Sequence, residues 1–153
     1  MKAISKEYRI GFSPAGLLAV LLVMIPNIVW MCFPPANNPL LTNASVYPAL
    51  NFLETVARLA LIALLILLIK RTTKPTDMSK SPLIASVLFL LAYFILWILY
   101  FCGVADPMVL LGLAITPSAF FCLYSLWLQN TPATITGLLF SFLHITITVL
   151  NYL

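Results

Sequence analysis

Five apolar runs, at 11–33, 49–69, 83–103, 107–128 and 133–153, make up most of the chain, and short polar or proline-rich segments separate them. A helix needs about 20 residues to cross a hydrocarbon core of about 30 Å, so each run predicts one transmembrane span. Pro34-Pro35, Asn37-Asn38-Pro39 and Pro48 keep the first connection out of helix, and Pro48 is well placed to open the second span. Gly103 to Pro107 predicts a tight turn containing Asp106, and Gln129 to Pro132 another, so spans four and five form an antiparallel hairpin.

Composition agrees with this pattern. With 63% hydrophobic and 8% charged residues and a mean hydropathy of +1.09, the chain is no water-soluble globule. Its 153 residues hold five spans and no extramembrane domain, so 1–153 reads as one transmembrane domain, an all-α five-helix bundle.

Charge sets the expected orientation. Lys2, Lys6 and Arg9 precede the first span, and Lys70, Arg71, Lys74 and Lys80 lie between the second and third. Positive-inside logic puts both groups on the cytoplasmic side, with the N-terminus cytoplasmic and the C-terminus outside. Basic residues that flank spans point to anionic lipid headgroups, not nucleic acid. The basic start and first apolar run resemble a signal peptide, yet no small-x-small cleavage site follows and the run is too long, so a retained span is expected.

Inside the spans, the polar residues are few. Glu54 and Arg58 are the only pair of opposite charges in an apolar run, and their i, i+4 spacing puts them on one helix face. Counted from the outer boundary, they lie about 8 Å and about 14 Å deep. Asn51 extends that face. Charges in hydrocarbon face a bundle interior and mark either a structural ion pair or a site for a ligand, proton or partner. Asn27, next to Pro26 in the outer half of span one, either fills the hydrogen-bonding gap of a kink or lines a pocket with the pair.

His144, the single histidine, lies at similar depth on span five. If it converges with Asn27, Glu54 and Arg58, the four form a titratable site; otherwise it is a packing residue. Tyr93, Trp97 and Tyr100 share a face of span three, either as an interfacial aromatic belt or as a wall and hydroxyl donors for the cluster.

The remaining features are structural. Thr116-Pro117 predicts a kink repaired in part by hydroxyls. Ala114, Ser118 and Cys122 on span four, with Gly137 and Ser141 on span five, predict close backbone approach. Cys32 and Cys102 end spans on the same side, where a disulfide is conceivable; three scattered cysteines otherwise suit buried packing. Asn43-Ala44-Ser45 matches a glycosylation acceptor, a pattern common by chance, and the 34–48 loop is placed to cover the outer mouth of the bundle.

Ile25-Pro26-Asn27-Ile28-Val29-Trp30 with Phe33-Pro34-Pro35, Leu53-Glu54 with Arg58, Leu111 through Pro117, and His144 together resemble a family of small uncharacterised bacterial polytopic membrane proteins. That resemblance implies the bacterial cytoplasmic (inner) membrane and brings no activity or cofactor.

The motifs of phosphate-binding loops, zinc proteases, paired-cysteine sites and serine hydrolases are absent from the sequence, so neither catalytic nor metal-ligating residues are assigned. The leading expectation is a non-enzymatic interaction or accessory protein that meets a membrane-protein partner or a second copy of itself. The alternatives are a transporter or lipid-binding bundle built on the polar cluster and, less supported, an intramembrane enzyme using Glu54 and His144. A connected cavity reaching Arg58 favours the ligand-binding reading, and a dry ion pair favours the first.

Overall fold

The computed structural model describes residues 7–45, 47–71 and 80–153. Five helices, α1 (Pro14–Cys32), α2 (Pro48–Leu67), α3 (Lys80–Phe101), α4 (Pro107–Trp127) and α5 (Thr131–Tyr152), are each long and apolar enough to span a bilayer. The chain is therefore a multi-pass helical membrane protein. Arg9, Lys70, Arg71 and Lys80 lie at one end of the bundle, called here the basic end, and the 33–47 connection lies at the other, the loop end. Lys2, Lys6 and Lys74 lie outside the described residues, as does most of the 70–82 connection.

Helix starts follow the proline chemistry. Pro14, Pro48, Pro107 and Pro132 occupy first-turn positions, where a missing N–H costs nothing. Helix α3 begins three residues before the expected 83 because Pro82 fits in its first turn. Ser13 caps α1 through the Gly16 N–H, and Asp106 caps α4 by accepting from the Met108 and Val109 N–H groups. Gly103, at φ +91°, ends α3 and lets the Val104 N–H reach the Leu99 carbonyl.

Helix α4 is the most buried, packed between α3 and α5, while α5 also packs along α2. The expected small-residue contact is present: Cys122 Sγ lies 3.5 Å from Ser141 Oγ, and a Cβ on Gly137 would sit 3.4 Å from that sulfur. In the proline-interrupted turn of α4, Thr116 donates to the Gly112 carbonyl and Ser118 to Ala114. Cys32 and Cys102 are both free and exposed, so the conceivable disulfide is not formed.

The basic end contains one feature that the apolar pattern does not announce. Strands β1 (Tyr8–Ile10) and β2 (Leu68–Lys70) pair antiparallel, with Arg9 opposite Ile69. The same zipper continues past β1, where the Gly11 and Ser13 N–H groups donate to the Leu67 and Ile66 carbonyls. Those carbonyls belong to the last turn of α2 and have no partner within the helix. The basic lead is thus a clamp on α2. Asn130 completes it: buried, it donates to the Leu64 and Leu68 carbonyls and accepts from the Ala133 N–H, joining the end of α2 to the start of α5.

Candidate functional site

Helix α1 touches α2 at the basic end, then towards the loop end lies against α3. Asn27 Nδ2 donates to Tyr93 Oη at 2.7 Å and to the Val23 carbonyl at 2.8 Å, in the turn loosened by Pro26. Trp30 packs on Trp97 with ring centroids 6.5 Å apart. All five helices then line a cavity of about 370 Å³ whose walls include Asn27, Arg58, Tyr93, Trp97 and His144. Among its lining residues, Met24 and Met31 on α1 and Arg58 on α2 are the exposed ones. The mouth of the cavity therefore faces sideways, between α1 and α2.

Glu54 lies behind this wall, only 6% exposed. One carboxylate oxygen is 3.1 Å from His144 Nδ1 and the other is 3.4 Å from an Arg58 guanidinium nitrogen. The carboxylate thereby ties α2 to α5 and orients both nitrogen groups. With Nδ1 turned to Glu54, His144 presents Nε2 away from the pair. Its ring also stacks on Phe140 at a centroid distance of 5.0 Å, which fixes the imidazole plane. Arg58 behaves differently: its side chain is 49% exposed, and Glu54 is its partner among the described residues.

The expected site residues divide into two sets that share the cavity. Glu54, Arg58 and His144 form a bonded triad on α2 and α5, whereas Asn27, Tyr93 and Trp97 form the opposing wall on α1 and α3. Tyr93, Trp97 and Tyr100 are all buried in the bundle; Tyr93 and Trp97 line the cavity, whereas Tyr100 donates to Asn38 of the loop. The buried Trp97 Nε1 lies beside the Tyr93 hydroxyl and makes no hydrogen bond of ordinary geometry among the described residues. Asn51, one turn before Glu54 on α2, exchanges two hydrogen bonds with the Ser45 backbone and holds the loop to α2.

The loop does cover the loop end of the bundle, and Asn38 is its anchor, a role the sequence pattern conceals. Asn38 Oδ1 accepts from Trp30 Nε1 at 2.8 Å and from Tyr100 Oη at 2.7 Å, joining α1, the loop and α3. Tyr152 donates to the Pro39 carbonyl, and Asn43 pairs with Asn151 and Thr148 of α5. Asn43 is thus committed to the bundle, contrary to the exposed position a glycosylation acceptor needs. Asn38→Ala is expected to cost about 2 kcal/mol for two lost hydrogen bonds and to expose the loop to cleavage. Thermal unfolding in detergent with limited proteolysis measures both, and unchanged protection would remove Asn38 from this role.

No family model, curated protein or solved structure matches the chain.

Proposed function

We propose that this protein is a non-enzymatic ligand-binding protein of the bacterial cytoplasmic membrane, with its N-terminus cytoplasmic and an amphiphilic small molecule or lipid held between α1 and the other four helices. The observation that carries the reading is the cavity of about 370 Å³ with Arg58 and His144 on its wall. Pockets for small molecules hold about 300–1,000 Å³, are mostly apolar, and contain a few converging polar groups. Here Val20, Leu61, Leu113 and Phe121 supply the apolar lining beside the polar cluster. A dry ion pair would instead favour an accessory protein that packs on a partner, but the Arg58 side chain is half exposed at the cavity mouth. The basic end, with Arg9, Lys70, Arg71 and Lys80, supports the proposed orientation.

Native mass spectrometry of the protein released gently from its own membrane tests the reading, comparing wild type with Met24→Trp, which fills the mouth from an exposed position. A reproducible bound mass in wild type that is lost in the variant is the expected result. Retention of a second protein or a stable oligomer, with no small molecule, transfers the function to the accessory class.

A further inference from the structure

We infer that the ligand is an amphiphile with an oxyanion head, a phosphate or carboxylate, that enters sideways from the bilayer and places its head against Arg58 and His144; this rests on the ligand-binding reading above. Counted along α2 from Pro48, Arg58 is about 15 Å below the loop end, at the middle of the span. A guanidinium at that depth is costly unless its donors are satisfied. It has five N–H donors, and Glu54, at 3.4 Å from one nitrogen and shared with His144, engages few of them. The remaining donors lie at the mouth of the cavity and match an oxyanion in geometry and charge.

The same wall adds a second polar contact. With its Nδ1–H on Glu54, His144 leaves Nε2 to accept from a protonated oxygen of the head. Trp97 adds a buried N–H that makes no hydrogen bond of ordinary geometry among the described residues, with the Tyr93 hydroxyl beside it. Both Glu54 oxygens are engaged, so its negative charge is held by the two groups that face the ligand. The rest of the chemistry is that of an acyl chain's surroundings. Met24 and Met31, flexible and polarizable, flank the mouth, and Val20, Leu61 and Ile62 lie deeper. A sideways mouth suits a molecule already dissolved in the bilayer and gives a water-borne anion no apolar wall to use.

The test uses delipidated full-length protein in a neutral maltoside detergent. It is titrated with a single-chain acylglycerol phosphate, the monoacylglycerol of the same chain, and inorganic phosphate, with binding read by native mass spectrometry. Wild type is expected to bind the phosphate amphiphile about tenfold more tightly than the neutral one, the scale of a charge-assisted hydrogen-bond set. Arg58→Gln is expected to lose that preference while keeping its affinity for the monoacylglycerol, and Arg58→Lys to keep part of it. Retained neutral binding shows that the variant is folded.

Equal wild-type affinity for the two amphiphiles overturns the oxyanion head and leaves the ligand-binding reading standing. Inorganic phosphate bound as tightly as the amphiphile overturns the lipid source. Failure of both amphiphiles to bind, together with no mass retained from the native membrane, overturns the cavity reading itself.

Discussion

Gly16→Ala will destabilise the bundle more than alanine at any of the other four glycines. A Cβ built on Gly16 overlaps the Leu65 carbonyl oxygen and falls 2.6 Å from its carbon, in the last turns of α2. Neither side can yield easily. The following carbonyls, Ile66 and Leu67, are held by the Ser13 and Gly11 N–H groups, and α1 starts at the Ser13 cap immediately before Gly16. One methyl group therefore forces two helices apart at their closest contact, at a cost of about 3 kcal/mol, the upper end of the ordinary overpacking range.

Gly112 and Gly103 are the internal comparisons. At Gly112 the added carbon meets the end of the Leu96 side chain at 2.8 Å, which can change rotamer, so a smaller loss is expected. At Gly103 nothing lies within 4 Å, and the φ of +91° alone opposes alanine, at about 1 kcal/mol. Thermal unfolding of the three variants in one detergent ranks them. If Gly16→Ala unfolds at or above the temperature of Gly112→Ala, the close α1–α2 approach is not what holds the basic end together.

Glu54→Leu is the second large effect, and the informative quantity is its contrast with Arg58→Gln. Glu54 is buried and holds both Arg58 and His144, so its removal leaves a cation and an imidazole without their partner in an apolar wall. Leaving the Arg58 cation at mid-span without its carboxylate costs about 3 kcal/mol. Arg58→Gln leaves Glu54 bonded to His144 and removes a side chain that is half exposed, so a loss of no more than about 1 kcal/mol is expected. Equilibrium unfolding in mixed detergent measures both. Equal losses would make the two residues a single structural pair and take Arg58 out of the ligand site.

The asymmetry separates two roles that i, i+4 spacing leaves merged. Spacing places Glu54 and Arg58 on one face but does not say which of them is inside. His144, ninety residues away in sequence, decides it by claiming the second carboxylate oxygen of Glu54 and drawing that side chain into the α2–α5 contact.

Much of the architecture is local and so can be read from the sequence alone. The five spans follow from apolar run length against bilayer thickness, and several helix starts follow from where proline is tolerated, as at Pro48 and Pro107. The Thr116-Pro117 interruption, the Ser118 and Ser141 stripe and the Glu54–Arg58 pair are also short-range patterns, each set by residues within a turn or two of helix. What the tertiary structure alone decides is which face of each helix points inward. In a soluble protein, hydropathy separates inside from outside, but in a bilayer the lipid-facing and core-facing sides are both apolar, so the pattern of α3 is silent about the burial of Tyr93, Trp97 and Tyr100. Asn38 with Trp30 and Tyr100, Asn130 with α2, and Gly16 against Leu65 are likewise contacts between distant segments of chain. Their partners exist only once the helices have packed, which is also when the cavity between them comes into being.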